Sequence, residues 1–345
     1  MPKTAKPSFP VAKQPGLVLV TGAGGFIGGH LVADLRRSGF KVRAVDRKPL
    51  WEWYQTDEDA ENIRADLANP VSCAEVTDGV ETIYNLAADM GGMGFIETHK
   101  AECMLSVLIN TNMLVAARAA GVSRFFFSSS ACVYAADKQT NADVVALREA
   151  DAYPAMPEDG YGWEKLFSER MCRHFHEDFG IITRIARYHN VYGPQGTFEG
   201  GREKAPAAIC RKVIEALRAG DDEIEIWGDG EQTRSFMYID DCILGTRMIF
   251  DSDILDPINL GSSELVSINQ LVSIVEQIAG VTLRRKYKLD APKGVRGRNS
   301  DNTLIQATLN WEPSIPLKTG MEKTFRWIND TIAAHEPSRR VKYAS

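Results

Sequence analysis

The sequence predicts an α/β protein built on a doubly wound parallel sheet, with a smaller α/β C-terminal domain after it. Over the first half of the chain, short apolar segments alternate with longer helical patterns, which is typical of parallel βαβ units. A glycine-rich turn, TGAGGFIG, stands between the first apolar segment and the first helical pattern. This placement is typical of a Rossmann fold, in which the turn after the first strand faces a dinucleotide.

Each element of the first half follows from its pattern of apolar residues. Strands are predicted at GLVLVT (16–21), KVRAVD (41–46), NIRADL (62–67), ETIYNLA (81–87), RFFFSS (124–129) and IITRIARY (181–188). Helices are predicted over 26–39, 98–120 and 161–179. Gly39 ends the first of these helices, because glycine tolerates the left-handed conformation found after a helix C-terminus.

After GPQG (193–196) the pattern changes to longer loops rich in Gly, Asp and Arg. Three further helices are predicted, near 204–219, 267–279 and 318–334. We expect residues 16–190 to form the Rossmann domain and residues 191–335 to form mainly a substrate domain, with part of 236–262 returning to the first. The smaller domain is expected to close over the carboxyl ends of the strands, where ligands of such sheets bind.

Composition limits the class of protein. The 345 residues are 44% hydrophobic and 25% charged, with a net charge of −6, so the chain offers no general attraction for nucleic acid. No apolar run is long enough to span a membrane, and the polar start lacks the apolar core of a signal peptide. We expect flexible tails at 1–15 and 336–345.

Cysteine and histidine usage argues against a metal centre. Six cysteines are widely spaced, without a CxxC pair or a Cys/His cluster, so we expect reduced thiols in a cytoplasmic protein and no bound metal. His174 and His176 lie two residues apart in a helical pattern and therefore point to different faces. They are expected to be exposed to solvent rather than to form a metal pair.

The glycine-rich turn and an acidic residue after it predict a dinucleotide site. Gly22, Gly25 and Gly28 allow a tight turn, and the following helix N-terminus supplies N–H groups for a pyrophosphate. Asp46 ends the second strand, where a carboxylate binds both ribose hydroxyls and repels a 2′-phosphate. The cofactor is therefore expected to be NAD rather than NADP, although Arg47 and Lys48 follow directly.

Further residues are assigned to the same site. Asp66, at the end of the third predicted strand, is either a contact for the adenine edge or a plain cap of the strand end. The full cofactor set is Gly22, Gly25, Phe26, Ile27, Gly28, Asp46, Asp66, Ala87, Tyr161 and Lys165.

A tyrosine and a lysine predict the chemistry. Tyr161 and Lys165, in YGWEK, lie on one face of a helix because they are four residues apart. A cation beside the phenol favours phenolate, so we expect the pKa of Tyr161 to be lowered. Lys165 is also placed to hold the nicotinamide ribose. The spacing alone is common by chance, but here it follows a serine cluster at the end of a strand in a glycine-loop fold.

These residues resemble the extended short-chain dehydrogenase/reductase superfamily. The resemblance implies that Ser130, Tyr161 and Lys165 form its catalytic set, with Tyr161 removing the proton of a sugar hydroxyl. In related 4,6-dehydratases the next two residues are Asp-Glu, whereas this chain has Ala131 and Cys132, so dehydration lacks its acid and base. In 4-epimerases a threonine commonly replaces the cysteine. A thiolate can remove protons beside a ketone; the other interpretation of Cys132 is a small core residue.

Four longer segments resemble the GDP-mannose 3,5-epimerases: NLAADMGGMGF (85–95), FEGGREKAPAA (198–208), WGDGEQTRSF (227–236) and GVRGRNSDN (294–302). The resemblance implies GDP-mannose as substrate, Cys132 as the base and Lys204 as the acid on the opposite face of the sugar. From the residues alone, Lys204 is a phosphate contact or a surface charge at a helix start. The implied substrate-binding residues are Gly91, Ser130, Ala131, Cys132, Asn190, Glu203, Lys204, Lys212, Gln232, Thr233, Arg234 and Arg298.

The sequence therefore favours a GDP-mannose 3,5-epimerase that oxidises C4 transiently, inverts C5 and C3, and reduces C4 again. Products would be GDP-L-galactose and GDP-L-gulose. Two alternatives remain open: a nucleotide-sugar 4-epimerase, in which Cys132 would be incidental, and a non-catalytic NAD-binding regulator. A homodimer is expected through the two long helices at about 98–120 and 161–179, which carry apolar residues on more than one face.

Overall fold

A computed structural model describes residues 16–291 and 294–342. The tail expected at 1–15 lies outside these ranges. The tail expected at 336–345 falls on the end of a helix that reaches Lys342 and on residues 343–345, which also lie outside them.

Seven strands, numbered in chain order with those of the other sheets, form the larger sheet: β1 (Leu17–Thr21), β2 (Val42–Asp46), β3 (Glu61–Arg64), β4 (Val80–Asn85), β5 (Arg124–Ser130), β6 (Ile182–Tyr188) and β10 (Ile258–Leu260). All are parallel, in the order β10-β6-β5-β4-β1-β2-β3. The predicted doubly wound α/β fold is confirmed. The third strand is shorter than predicted, because the chain turns after Arg64 and the Asp66 carboxylate accepts from the Ala68 N–H at 3.0 Å.

Five helices cover this sheet: α1 (Phe26–Arg37), α2 (Pro70–Thr77), α4 (Lys100–Ala119), α5 (Asp159–Phe179) and α7 (Ile239–Asp251). Successive side chains of a strand point to opposite faces, and the inner strands such as β1 and β5 are buried on both sides, whereas the edge strand β3 is partly exposed. Val18 and Val20 belong to the core that includes α1 and α7, whereas Leu19 belongs to the core that includes α2, α4 and α5. Helices α2 and α7 were not predicted.

The rest of the described chain forms a smaller α/β layer beyond the carboxyl ends of the strands. Strand β9 (Thr233–Tyr238) pairs with β7 (Asn190–Tyr192), β11 (Leu265–Ser267) and β13 (Gly297–Arg298), while β8 (Glu223–Trp227) pairs with β12 (Arg284–Lys288). The remaining helices are α3 (Met93–Thr98), α6 (Ala205–Ala219), α8 (Ile268–Ala279), α9 (Thr303–Leu309) and α10 (Leu317–Lys342). Helix α7 and strand β10, from within residues 236–262, lie on the larger sheet.

Candidate active site

A cleft of about 1430 Å³ opens at the carboxyl ends of the parallel strands. It is lined by every residue of the predicted cofactor set. It is also lined by Gly91, Ser130 and Lys204 of the predicted substrate and catalytic sets. The structure therefore brings the glycine turn, the serine and the YxxxK pair, which are far apart in sequence, to one edge of the sheet.

The turn between β1 and α1 has room only for glycine at its critical positions. Gly22 has a φ of +69°, in the left-handed region. A Cβ on Gly28 would lie 2.1 Å from the Gly22 carbonyl oxygen, so the helix packs directly against the turn. The bare backbone, facing the N-terminus of α1, forms the kind of cradle that fits a pyrophosphate.

The Asp46 carboxylate is fixed at the end of β2. Oδ2 accepts from the Gly24 N–H at 3.1 Å, and Oδ1 accepts from the Lys48 N–H at 3.0 Å. The two basic neighbours are engaged elsewhere: Arg47 forms an ion pair with Asp89 at 3.0 Å, and Lys48 Nζ donates to the Gly24 carbonyl at 2.7 Å. A carboxylate held at this place fits ribose hydroxyls and repels a 2′-phosphate, so the site fits NAD.

Ser130 ends β5 and caps a single tight turn, Ala131–Val133. Its Oγ accepts from the Cys132 N–H at 3.2 Å, and it lies near enough to Tyr161 to affect the pKa of the phenol. The Lys165 ammonium lies 5.5 Å from the centroid of the Tyr161 ring and 3.7 Å from the carboxylate of buried Glu164. The predicted serine, tyrosine and lysine are thus adjacent.

The expected lowering of the phenol pKa is wrong for this structure. Burial, together with the neighbouring Cys132 and Glu164, raises the pKa of Tyr161 well above its ordinary value, and Ser130 only partly opposes this. Phenolate is therefore disfavoured unless the positive charge near the ring increases.

Cys132 lies in the tight turn after β5, packed against Tyr161, Phe95 and Cys103. Burial and the Glu158 carboxylate raise the pKa of its thiol, while Arg298, which donates to Sγ at 3.6 Å, acts in the opposite direction. Arg298 is a cationic neighbour that favours the thiolate, but burial outweighs it.

Lys204 immediately precedes α6, and its segment packs on the GGMG turn. The Gly92 N–H donates to the Arg202 carbonyl at 2.9 Å, and a Cβ on Gly92 would lie 2.4 Å from the Glu203 carbonyl oxygen. Burial lowers the pKa of the Lys204 ammonium, whereas the charge of Cys132 raises it, which places the two groups within electrostatic reach of each other. A lysine with a lowered pKa is a better proton donor than an exposed one.

Apart from Ala131, which lies in the turn after β5, the remaining predicted substrate residues lie in the smaller layer. Among these, Arg298 and Arg234 are buried side by side, and burial with the charge of Arg298 lowers the pKa of Arg234 to about 10. Gln232 Oε1 is buried with no partner within the described residues, which leaves it open to a ligand donor. Contacts within the protein engage the others: Asn190 donates to the Ser235 carbonyl, Glu203 pairs with Arg211, Lys212 donates to the Glu225 carbonyl, and Thr233 donates to the Ala142 carbonyl.

Sequence reasoning missed three residues that shape the site. Glu158 pairs with Arg298, Gln139 accepts from Arg298 Nε at 2.6 Å, and Arg202 pairs with Asp89 at 2.7 Å beside the cleft. Glu158 stands in PEDGYGWEK, where an acidic residue before a helix is ordinary. The available signal was its position three residues before the tyrosine.

Two kinds of feature were not found within residues 16–291 and 294–342. No helix there is long and apolar enough to cross a membrane, and no group of His, Cys, Asp and Glu could hold a metal ion. His174 is exposed and pairs with Glu177, whereas His176 is half-buried and hydrogen-bonds the Ile181 carbonyl at 2.9 Å.

Comparison with known proteins gives the family. The NAD dependent epimerase/dehydratase family matches residues 18–261. GDP-mannose 3,5-epimerase 1 of Oryza sativa subsp. japonica is 45% identical over 322 residues, covering 91% of this chain and 82% of that protein.

Two solved structures show the same fold. MoeE5 in complex with UDP-glucose and NAD is 30% identical, with a TM-score of 0.76, and covers 92% of this chain and 100% of its own. UDP-glucose 4-epimerase of Thermotoga maritima has a TM-score of 0.82 at 24% identity, covering 92% of this chain and 99% of its own. The chain therefore belongs to the NAD dependent epimerase/dehydratase family, within which it groups with the GDP-mannose 3,5-epimerases.

Proposed function

We propose that this protein is an isomerase that converts GDP-D-mannose to GDP-L-galactose, and to GDP-L-gulose when only C5 is inverted. The observation that carries the proposal is the position of Cys132. It lies in the tight turn after Ser130, packs against Tyr161 and is within electrostatic reach of Lys204. Inverting a carbon beside a ketone needs a base and an acid on opposite faces of the ring. These two side chains supply both groups.

The redox step uses the cleft residues. The glycine turn and Asp46 would hold NAD, which when bound would supply a reversible hydride acceptor for C4. Tyr161 removes the proton of the C4 hydroxyl, Ser130 hydrogen-bonds the same oxygen, and Lys165 supplies the positive charge that phenolate requires. Because burial raises the pKa of Tyr161, phenolate forms only if a positive charge lies near the ring.

The inversion steps use Cys132 and Lys204. A ketone at C4 makes the hydrogens on C3 and C5 acidic, and in the mannose chair both hydrogens are axial on the same face. One base, Cys132, therefore removes either proton, and Lys204 returns a proton from the other face. Both groups must be reset between the two inversions.

The remaining contacts position the nucleotide-sugar. We propose that the GGMG turn at Gly91 approaches the sugar closely and that the buried guanidinium groups of Arg234 and Arg298 lie at its far side. The other proposed contacts are Ala131, Asn190, Glu203, Lys212, Gln232 and Thr233.

Incubation with GDP-mannose in deuterium oxide, followed by NMR, tests the proposal. We expect deuterium at C3 and C5 of the products. A 4-epimerase would invert C4 without deuterium at either carbon, and a regulator would return GDP-mannose unchanged. Cys132→Ser should bind GDP-mannose and NAD normally, because the change is nearly isosteric. Its wash-in should fall by about two orders of magnitude or more, since a serine hydroxyl is far too weak an acid to supply the base.

We further propose a cytoplasmic homodimer. Helices α4 and α5 pack side by side and expose large apolar side chains, among them Leu105 (59% exposed) and Phe167 (52% exposed). A second copy of the same pair would cover them in a four-helix bundle. Light scattering that gives a monomer mass at working concentration would contradict the dimer. Free, buried cysteines fit a reducing compartment.

A further inference from the structure

The Cys132 thiol lies between a carboxylate and a guanidinium that come from distant parts of the chain. Glu158 stands just before α5, and its main-chain N–H donates to the Cys132 carbonyl oxygen at 2.9 Å. Its carboxylate raises the pKa of the thiol. From β13, Arg298 donates to Sγ at 3.6 Å and forms an ion pair with Glu158. Arg298 therefore links the sulfur to the Glu158 carboxylate.

The Arg298 guanidinium is fixed from two sides. Besides its ion pair with Glu158, Arg298 donates from Nε to Gln139 Oε1 at 2.6 Å. The side chains of Arg298 and Glu158 are only 6% and 13% exposed, so water screens their charges weakly. A planar guanidinium held by two acceptors cannot turn away from the sulfur without losing one of them.

We propose that Glu158 is a positioning residue: its carboxylate fixes the Arg298 guanidinium against the Cys132 sulfur, and these two opposite charges govern the protonation state of the thiol. The consequence for catalysis rests on the proposed function, in which the thiol must release its proton before each inversion. The negative charge of Glu158 favours the thiol, and the positive charge of Arg298 favours the thiolate. The pair thus keeps Cys132 protonated at rest, next to the positive charge that stabilises its thiolate.

Other titratable groups face the same thiol. Tyr161 approaches it from α5, Lys204 from the start of α6 and Arg234 from β9. These groups are neutral or cationic near neutral pH, whereas Glu158 is an anion, because Arg298 holds its pKa below the ordinary value even though burial opposes this. Removing the negative charge of Glu158 should therefore lower the pH at which the thiol ionises.

The experiment measures the ionisation of Cys132 directly, without substrate. The rate of alkylation by iodoacetamide is followed against pH in the full chain, with the modified peptide identified by mass spectrometry. The ultraviolet absorbance of the thiolate, taken relative to Cys132→Ser, gives the same midpoint if the sulfur reacts too slowly. In Glu158→Gln we expect the midpoint to fall by about one pH unit, and in Arg298→Gln to rise by about one.

Matched controls come from the neighbouring residues. Asp159→Asn changes the adjacent carboxylate, which pairs with Lys100, and Arg296→Gln changes an arginine of the same segment, which pairs with Asp229. Both should keep the parent midpoint. Glu158→Asp keeps the charge but is one methylene too short to hold Arg298. We expect its midpoint to rise, though by less than in Arg298→Gln, because Arg298 is held less closely against the sulfur, while kcat for C5 exchange falls and KM changes little.

A midpoint in Glu158→Gln equal to that in Asp159→Asn would overturn the proposal, as would a fall of the midpoint in Arg298→Gln. Failure of the proposed function looks different: there would be no isotope exchange with GDP-mannose, while the midpoints shift in opposite directions as described. If Glu158→Gln fails to fold, as circular dichroism would reveal, Glu158→Asp and Arg298→Gln still decide the matter. Parent kcat in Glu158→Asp, or an unmoved midpoint in Arg298→Gln, would refute it.

Discussion

The substitution Gly28→Ala tests the cofactor site at its tightest contact. The added Cβ would lie 2.1 Å from the Gly22 carbonyl oxygen, 2.7 Å from the Gly22 carbonyl carbon and 2.9 Å from Ala23 Cα. All three are backbone atoms, so no side chain can swing aside. Either the turn or the first turn of α1 must move, by about 1 Å to reach an ordinary contact.

The size of the effect follows from two opposing contributions. Overpacking a close-packed contact costs about 1–3 kcal/mol of the free energy of unfolding, and alanine in a helix interior returns about 1 kcal/mol relative to glycine. The net loss of stability should therefore be about 0–2 kcal/mol. NAD affinity should fall further, by at least about tenfold, because the displaced backbone is the part of the chain that would hold the pyrophosphate.

The next residue provides the control. A Cβ on Gly29 would lie 3.3 Å from the Gln55 side chain, which is free to shift by a few tenths of an ångström. Because the same gain from alanine applies here, Gly29→Ala should be as stable as the parent or up to about 1 kcal/mol more stable, and it should retain its NAD. Urea unfolding measures the first quantity, and NAD released on denaturation together with titration calorimetry measures the second. Equal stability and equal NAD content in the two variants would refute the packing argument.

Three further outcomes are expected. Glu169→Ala should lower the free energy of unfolding by about 3–5 kcal/mol in urea titrations, because it leaves the buried Arg187 guanidinium without the carboxylate that Glu169 places 2.7 Å away. A loss below about 1 kcal/mol would contradict this. Burial lowers the pKa of His189 to about 3, below its unfolded value of about 6.5, so its contribution to stability is complete above pH ~6.5 and is lost as the pH falls toward 3. In His189→Asn the free energy of unfolding should therefore change less steeply with pH, by up to about 1.4 kcal/mol per pH unit in that window. An unchanged slope would contradict this prediction. Lys204→Ala should lower product formation about 100-fold or more, whereas deuterium exchange at C5, read by NMR in recovered GDP-mannose, should fall less than product formation; product formation near the parent rate would contradict this.

Local patterns made most of the fold predictable. Alternating apolar segments and helical patterns located the first six parallel strands, and the glycine turn and Asp46 located the dinucleotide site, because each signal spans only a few residues. Helix α7 was not predicted, because its apolar residues follow directly on those of β9 without a polar break between them. Strand β3 ends earlier than predicted because the Asp66 carboxylate accepts a hydrogen bond from the Ala68 N–H and so stabilises a turn. Strand propensity does not take such side-chain hydrogen bonds into account.

The electrostatics of the site could not be predicted in the same way. The thiol pKa depends on Glu158, 26 residues further along, and on Arg298, whose contact with the sulfur spans 166 residues. The raised pKa of Tyr161 likewise depends on complete burial rather than on the lysine one helical turn away. Spacing along a helix identifies which side chains are neighbours, but only the folded chain determines how far water is excluded from them.

Two opposite pKa shifts at the proposed acid and base have a joint consequence. Burial raises the pKa of the Cys132 thiol and lowers that of the Lys204 ammonium, so burial shifts each group toward its uncharged form. In that form neither can act, since a thiol accepts no proton from carbon and an amine donates none to it. Moving one proton from sulfur to nitrogen makes both competent at once. Because the two forms hold the same number of protons, their ratio does not depend on pH. It depends on fixed charges nearby, and Arg298 and Glu158 act on it in opposite directions. The rate of inversion should therefore respond to these two residues even at a pH where neither Cys132 nor Lys204 titrates.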